Sequence, residues 1–395
     1  MKIADVCEFY APRGGGVRNY IEQKFAAAKA HGHELVVIAP GATNAIELRD
    51  GGKIVWVETP VLPFDRNYRM FWSRSDIYRV LDHEAPDLVE GSSPWRGGWI
   101  AGQWPGCRPK VLFMHADPVA VYPQNWFGGF LGRERVDRAF GWFWSYLRKL
   151  SACFDATVVT GTWLKGRFGN FGLSGLTAIP FGVDRRIFNP DRRDLSLRRD
   201  LLARCGLDEN AFLLIAVGRH HPEKRFDILV RAFAEVQRIR PAGLVIVGDG
   251  LMRAHVEQLA ASHPHIVLTG HIGDRVEIAA MLASADALLH GSSSETFGFA
   301  VAEAVCCGLP IVVPNAGGAC VFAHEDYAEV YSAGDWRAAA RACLQLLERD
   351  RGALSRAAAA AAPQLIGTVE SHFEKLFTFY EALALHHKNV ETLAA

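Results

Sequence analysis

Short β-rich apolar runs alternate with helical patterns along this chain, and the alternation limits its fold more than any other feature. Seven such runs occupy the first half, from KIADV at residues 2–6 to LTAIPFG at 176–182. Six more follow in the second half, from FLLIAVGR at 212–219 to AEVYS at 328–332. Strands separated by helices form parallel βαβ units, which build doubly wound sheets with helices on both faces. The pattern predicts two Rossmann-like α/β domains.

The strand rhythm is interrupted by one polar, charged segment at residues 182–210, which we interpret as the linker and first helix of a second domain. We therefore predict an N-terminal domain over 1–182 and a C-terminal domain over 183–369. Helical spacing of apolar residues predicts a last helix at about 370–395 that packs back on the first domain. Ligands of such sheets bind beyond the carboxyl ends of the strands, so two domains facing each other would form a binding cleft.

Charge and cysteine content exclude several classes of protein. Lys plus Arg and Asp plus Glu number 43 each, which argues against an extended nucleic-acid groove. The eight cysteines are scattered without Cys-x-x-Cys pairs, as expected for reduced thiols in the cytoplasm. The chain opens directly on a strand-like run, and it has no uninterrupted apolar stretch of about 18 residues. We expect a cytoplasmic protein, with peripheral contact at the inner face of the membrane left open.

Three consecutive glycines, Gly14, Gly15 and Gly16, follow the first strand and lead into a helix. Consecutive glycines let a ligand approach the backbone, and the free amides of a helix N-terminus favour phosphate. A tight strand-to-helix turn explains the triplet equally well. Asn19 stands where a dinucleotide fingerprint needs a further glycine, so the triplet does not indicate a dehydrogenase.

Two cations, Arg219 and Lys224, follow the first strand of the second domain. Two cations fixed at a strand end would stabilise a diphosphate leaving group as it gains negative charge. The alternative is a pair of solvated loop charges, and the position at a strand end favours binding. The adjacent His220 and His221 have no third ligand at a suitable spacing and do not indicate a metal site.

Two carboxylates, Glu295 and Glu303, lie eight residues apart around the turn at 297–300. Carboxylates accept two hydrogen bonds from vicinal hydroxyls, and helix N-terminal amides between them would hold a phosphate. The pattern favours a ligand with two polyols joined by a diphosphate. The alternative for Glu303 is a capping or surface role, but it lies among Ala, Val and Cys in an apolar helix.

Together these motifs and the VGDG sequence at 247–250 resemble the retaining nucleotide-sugar glycosyltransferases of the GT-B fold. The family in question is family four, which includes the phosphatidylinositol mannosyltransferases and the sucrose synthases. The resemblance covers nearly the whole chain and is strongest in the second domain. It implies that Arg219 and Lys224 hold the donor diphosphate. It also implies that Glu295 lies near the hydroxyls of the transferred sugar and that Glu303 binds the ribose.

The same resemblance implies roles for further residues. His115 matches a histidine beside the reacting sugar, with a buried, hydrogen-bonded histidine as the alternative. Asp117 belongs to the acceptor region or caps the next helix. The remaining donor contacts are Gly15 and Gly16, the backbone of Phe297, Gly298, Phe299 and Ala300, and Ile272 beside the base.

Aromatic and cationic side chains are interleaved over residues 122–150, beginning with Trp126, Phe127 and Phe130. Such a segment suits a helix lying on anionic lipid, and equally a helix packed on its own domain beside an acceptor groove. Because core burial explains most aromatic clusters, we favour the packed helix and assign these residues to the acceptor region.

The resemblance implies a retaining transfer of a hexose, mannose or glucose, from a GDP- or UDP-sugar to a hydroxyl of a lipid, glycan or small molecule. Double displacement and front-face attack both remain open, and no further motif requires a protein nucleophile. The chain has no Asp-x-Asp sequence, so we expect neither a metal nor another cofactor. The alternatives are a nucleotide-sugar epimerase or hydrolase, and a non-catalytic sugar-nucleotide-binding protein.

Overall fold

The structure, a computed structural model, describes residues 1–11, 16–62, 65–124, 127 and 132–394. It divides into two compact units. The first unit comprises Met1–Pro118, Asp137–Pro180 and Glu370–Ala395, and the second comprises Val119–Val136 and Phe181–Val369. Each unit is built on one large β-sheet, as the sequence predicts.

The first unit contains an eight-stranded sheet. Its strands are β1 (Lys2–Val6), β2 (Glu34–Gly41), β3 (Ala45–Arg49), β4 (Gly52–Glu58), β7 (Leu88–Gly91), β8 (Lys110–Met114), β9 (Ala156–Val159) and β10 (Leu176–Ala178). The strand order is β10-β9-β8-β7-β1-β2-β4-β3, so the order reverses between β1 and β7. Two short strands, β5 (Val61–Leu62) and β6 (Asp65–Arg69), form a separate antiparallel pair.

Strand β3 is the one antiparallel member of this sheet, and the sequence pattern did not predict it. Only Asp50 and Gly51 connect it to β4, and so short a connection joins antiparallel neighbours only. As an edge strand it leaves Ile46 and Leu48 exposed, at 63% and 81%. Its hydrophobic residues therefore do not mark a buried strand.

The core of the first unit holds a fully buried charged network. Lys24 donates to Asp5 Oδ2 at 2.8 Å and to Glu90 Oε2 at 2.5 Å, and all three side chains have 0% exposure. The Ser92 hydroxyl lies 2.6 Å from Asp5 Oδ1 and 2.8 Å from Glu90 Oε1. Tyr380 donates to Glu90 Oε2 at 2.6 Å. The network links β1 and β7 to the first helix and the last helix.

Helices of the first half are α1 (Gly16–Ala30), α2 (Arg74–Glu84), α3 (Arg96–Gln103), α4 (Arg133–Ala139), α5 (Gly141–Ser151) and α6 (Thr162–Asn170), with a π-helical turn at Ala120–Gln124. In the described part of the chain, no helix is long and apolar enough to cross a bilayer. All eight cysteines are free thiols.

The second unit contains a six-stranded, fully parallel sheet, and each of the six predicted runs forms a strand. The strands are β11 (Phe212–Val217), β12 (Ala242–Val247), β13 (Ile266–Gly270), β14 (Ala287–Leu289), β15 (Ile311–Pro314) and β16 (Ala328–Tyr331). The helices are α7 (Leu195–Arg204), α8 (Phe226–Ile239), α9 (Arg253–Ala261), α10 (Arg275–Ser284), α11 (Phe299–Cys306), α12 (Trp336–Leu347) and α13 (Arg351–Leu365), and α14 (Val369–Ala394) ends the chain.

The strand order of this second sheet is β13-β12-β11-β14-β15-β16, so the order reverses between β11 and β14. The loops that follow these two strands, 218–225 and 290–298, leave the sheet at the same edge because the strands are parallel. Ligands of doubly wound sheets bind at this switch point. The fold therefore directs attention to these two loops.

The chain enters the main part of the second unit after Pro180 and leaves it at Val369. The segments by which the chain enters and leaves this part are joined by a parallel β-bridge between Gly182 and Gly367. In it, the Val183 amide donates to the Gly367 carbonyl at 3.0 Å. The beginning and end of this main part are therefore adjacent.

Candidate functional site

The loops after β11 and β14 bring Lys224 and Glu295 together. Lys224 Nζ donates to Glu295 Oε1 at 2.5 Å, and the two side chains keep 21% and 16% of their exposure. Burial alone would raise the pKa of Glu295, but the charge of Lys224 and the hydrogen bonds from Lys224 and Ser292 outweigh it and lower that pKa. Glu295 is therefore a carboxylate, and Lys224, whose pKa is raised despite burial, is a cation.

A second acid, Glu223, lies between the two predicted cations, and sequence reasoning did not identify it. Its Oε1 is 4.0 Å from Arg219 Nη2 and 3.9 Å from Lys224 Nζ. Both cations therefore reach the same carboxylate oxygen, and the Arg219 side chain stays 65% exposed. A diphosphate entering this loop would compete with Glu223 and Glu295 for the two cations.

The predicted phosphate turn is a helix N-terminus. Helix α11 begins at Phe299, and Gly298 precedes it with φ +91°. A Cβ at Gly298 would lie 2.8 Å from Ala319 Cβ, so both the backbone angle and the packing require glycine here. The Phe297 ring is buried against Phe322, whereas Phe299 is 45% exposed. The amides at the start of α11, Ala300 among them, have the orientation that favours an anion.

A pair of glycines, Gly317 and Gly318, packs against the loop that carries Glu295. Gly318 donates its amide to the Glu295 carbonyl oxygen at 2.6 Å. A Cβ at Gly318 would lie 2.1 Å from the Thr296 carbonyl oxygen, and one at Gly317 would lie 3.0 Å from Ser293. The signal in the sequence was the run Asn-Ala-Gly-Gly after β15, at the same sheet edge.

Glu303 is the fifth residue of α11, and its carboxylate contacts Arg275 at the start of α10. Arg275 Nη2 donates to Glu303 Oε1 at 3.0 Å, and the Arg275 guanidinium stacks 5.0 Å from the Phe188 ring centre. Burial raises the pKa of Glu303 to about 7, although Arg275 lowers it. Ile272 is half-buried in the β13–α10 connection, and Arg275 is the first residue of α10. Sequence reasoning did not identify Arg275.

In the first unit, His115 follows β8 and packs among aromatic rings. Its ring centre is 4.4 Å from that of Phe113 and 5.1 Å from that of Tyr20. Burial lowers the pKa of His115 to about 4, so the imidazole is neutral at pH 7. This packing agrees with either role considered for His115, and its place beside the reacting sugar stays a prediction.

Asp117 has no exposed surface, and it forms an ion pair with Arg167. Arg167 also makes two hydrogen bonds to Asp137, at 2.9 Å and 3.2 Å, and stacks on the Trp144 ring at 5.3 Å. The structure thus gives Asp117 a partner in the packing around α4 and α6. Any part it takes in acceptor binding stays a prediction.

Gly16 starts α1 and is exposed. A Cβ placed there would meet no atom within 4 Å, so packing does not require glycine. Phe127 is 45% exposed. Three other predicted residues, Gly15, Trp126 and Phe130, lie outside the described residues.

Arg133, from the aromatic and basic segment, contacts the loop after β14. Its guanidinium donates to the Ser293 carbonyl oxygen at 3.0 Å and also to the Ser293 hydroxyl. Ser293 is two residues before Glu295. No sequence pattern relates residues 160 positions apart, so this contact was not predictable.

Within the described ranges, no three His, Cys, Asp or Glu side chains come close enough to hold a metal ion. At the second-unit site, Arg219, Lys224 and the amides of α11 offer positive charge to an anionic ligand. This arrangement can bind a diphosphate and, through Glu295 and Glu303, hydroxyl groups on either side of it.

Comparisons with known proteins agree with this chemistry. The family model Glycosyltransferase Family 4 matches residues 14–186, and Glycosyl transferases group 1 matches residues 198–364. A GDP-mannose-dependent alpha-(1-6)-phosphatidylinositol dimannoside mannosyltransferase of Mycobacterium tuberculosis is 32% identical over 315 residues, 79% of each chain. A GDP-mannose-dependent alpha-mannosyltransferase of the same species is 30% identical over 322 residues, 80% of each chain.

Among solved structures, the sucrose-phosphate synthase of Thermosynechococcus elongatus matches with a TM-score of 0.71. The match covers 100% of this chain and 99% of that one, at 17% sequence identity. At this identity the likeness concerns the fold alone.

Proposed function

The chain belongs to glycosyltransferase family 4, with the GT-B fold, and from this membership we propose that it transfers mannose from GDP-mannose to a hydroxyl of a lipid-linked acceptor. The family and fold predicted from the sequence are confirmed, and transfer of a sugar from a nucleotide sugar follows from them. Mannose and GDP are supported by the names of the two relatives that are 32% and 30% identical. The lipid-linked acceptor is supported by the name of the first.

One observation carries the proposed chemistry: Lys224 and Glu295 meet at the point where the strand order of the second sheet reverses. In our proposal Lys224 and Arg219 exchange their carboxylate partners for the donor diphosphate. Charge that develops on the leaving phosphate is then stabilised by two cations and the amides of α11. A metal ion is not needed for this step.

The two acids have separate roles in this proposal. Glu295, released from Lys224, accepts a hydrogen bond from a hydroxyl of the transferred sugar, and Glu303 accepts from the ribose. We propose transfer with retention by front-face attack, in which the leaving phosphate takes the proton of the acceptor hydroxyl. The new glycosidic bond forms on the face from which the phosphate leaves. An acceptor anchored in lipid would place the enzyme at the inner face of the cytoplasmic membrane.

The test is to incubate the full chain with GDP-mannose, UDP-glucose or UDP-galactose and a lipid extract that contains phosphatidylinositol mannosides. We expect mannosylated lipid only with GDP-mannose, an α linkage by proton NMR, and unchanged activity in EDTA. Release of free sugar or an epimerised nucleotide without an acceptor would instead support the hydrolase or epimerase alternative. Binding of GDP-mannose with no turnover in any mixture would support a non-catalytic protein.

A further inference from the structure

His290 is the first residue after β14, and its ring is buried directly beside the Lys224–Glu295 pair. The residue keeps 5% of its exposure. Its Nε2 is 3.7 Å from Glu295 Oε1, the same oxygen that accepts from Lys224. Within the described structure this nitrogen has no hydrogen-bond partner, whereas buried polar atoms of native proteins nearly always have one.

A small, mostly apolar cavity adjoins the ring. A cavity of about 10 Å³ adjoins His290, Lys224 and Gly291, and the rest of its lining is Ala216, Val217, Phe226, Leu229 and Leu289. The His290 backbone is fixed on both sides, because its amide donates to the Val312 carbonyl at 2.9 Å and its carbonyl accepts from the Tyr331 hydroxyl at 2.7 Å. The ring therefore stays beside Glu295.

The charged groups that face the ring are Lys224 and Glu295. The ring also forms a hydrogen bond with the Ser292 backbone. Tyr331 approaches from β16 through its hydroxyl, and the side chains from β11 and α8 in the cavity lining are apolar. Burial, together with the charge of Lys224, lowers the pKa of His290 to about 4, although the charge of Glu295 opposes the shift. The imidazole is therefore neutral while Lys224 stays on Glu295.

We propose that His290 is a positioning residue that becomes the partner of Glu295 when Lys224 turns to the donor diphosphate. In that state Nε2 binds a proton from the solvent and donates it in a hydrogen bond to Glu295 Oε1. The carboxylate thereby keeps its charge and its direction toward the sugar hydroxyl. The proposal rests on the proposed function, because an anionic donor is what draws Lys224 away.

The electrostatics of donor binding favour this proton uptake. Departure of the Lys224 charge removes a repulsion from the ring, and arrival of a diphosphate adds negative charge nearby. Both changes stabilise an imidazolium beside a carboxylate. A histidine whose charged neighbours stayed in place when the donor entered would bind no proton.

The test is calorimetric titration of the full-length protein with GDP at pH 7.0, in two buffers with different heats of ionisation. The difference between the buffers gives the number of protons taken up on binding. We compare wild type with His290→Gln, whose amide reaches the place of Nε2, and His290→Asn, whose amide reaches the place of Nδ1. Neither amide titrates. Comparison with wild type cancels protons exchanged by GDP itself and by Glu303.

We expect wild type to take up more protons than either variant, by a substantial fraction of one proton per GDP. His290→Gln should keep the donor KM within about threefold and lower kcat about tenfold, the effect of one hydrogen bond to a charged group. His290→Asn should lower kcat further. If His290→Gln fails to fold, the difference in proton uptake between wild type and His290→Asn tests the proposal.

Equal proton uptake in wild type and both variants, with GDP bound in all, would overturn the role of His290 and leave the donor site intact. Failure of wild type to bind either GDP or UDP would overturn the proposed function, and the inference about His290 with it.

Discussion

Each unit places a lysine between two carboxylates close to the point where its strand order reverses, yet the two clusters differ in how fully they are satisfied. Lys24, Asp5 and Glu90 have no exposed surface, and the hydroxyls of Ser92 and Tyr380 add further contacts to the two carboxylates. Such a network fixes the fold, because removal of any member leaves a buried charge without its partner.

The cluster in the second unit is partly exposed and incompletely satisfied. Lys224, Glu295 and Glu223 keep 21%, 16% and 15% of their side-chain exposure, and Glu223 lies almost 4 Å from Lys224. His290 beside them has a ring nitrogen with no hydrogen bond in the described structure. The same residue types thus serve stability where water is excluded and, in our proposal, ligand binding where partners can be exchanged.

The largest effect should come from Lys24→Met, which leaves Asp5 and Glu90 buried together without a cation. We expect the free energy of unfolding to fall by about 3–5 kcal/mol. Denaturation by urea measures it, with Lys29→Met as the matched control, since Lys29 is on the same helix and 61% exposed. Equal stability of the two variants would show that the buried network does not stabilise the fold.

Lys224→Ala should lower activity strongly and change stability little. We expect kcat for sugar transfer to fall about 10²–10³-fold, the usual loss when a group that stabilises developing charge is removed. Stability should change by about 1 kcal/mol or less, because the ion pair with Glu295 is partly solvated. Arg238→Ala, at a side chain 76% exposed on the following helix, is the control. Retained transfer in Lys224→Ala would contradict the site.

The cluster in the first unit should also make the stability of the protein depend on pH. Burial, and then the charge of Glu90, raise the pKa of Asp5 to about 6, and the single Ser92 hydroxyl proton cannot serve both carboxylates. A raised carboxyl pKa contributes stability that is complete below pH 3.8 and lost as pH rises through about 6. We expect this contribution, about 3 kcal/mol, to be absent in Asp5→Asn.

The readout is the difference between wild type and Asp5→Asn in unfolding free energy, measured at intervals from pH 4 to 7. The absolute curve is less informative, because burial lowers the pKa values of His115 and His372 to about 4 and gives a slope of the opposite sign. Parallel curves for the two proteins would mean that Asp5 is ionised in the folded state.

The smallest effect concerns Glu303, whose pKa is raised to about 7 by burial, whereas that of Glu90 is lowered by Lys24 despite burial. If ionised Glu303 accepts from the ribose, GDP affinity should rise up to about tenfold from pH 6 to pH 8. Arg275→Gln should move the midpoint to higher pH, because Arg275 lowers this pKa. Calorimetric titration of Glu303→Gln should give a weaker, flatter profile, and an unchanged profile would remove Glu303 from the donor site.

The sequence predicted the parts of this molecule that follow from local pattern. Apolar runs and their spacing located the strands of both large sheets except β3, whose hydrophobic side chains are exposed at an edge. Lys224 and Glu295 were identifiable because each follows a strand that proved to lie at the switch point. Their direct contact supports the prediction that the two loops form one site.

Contacts between distant positions could not be predicted. Lys24 lies in a helical pattern where lysines are usually exposed, and only the tertiary fold shows that it is buried between two strands. The Arg133–Ser293 contact joins residues 160 positions apart. The isolation of His290 Nε2 depends on every side chain around it, so no local motif encodes it.

The bridge between Gly182 and Gly367 has a consequence for how such a chain can be recombined. Because residues 181–369 begin and end side by side, they can be exchanged as one cassette at two neighbouring junctions, which leave the strands of the first sheet uncut. With these two splice points, residues 181–369 could be combined with the first unit of a related chain. The 119–136 segment, which groups with residues 181–369, would have to be carried along or matched to them.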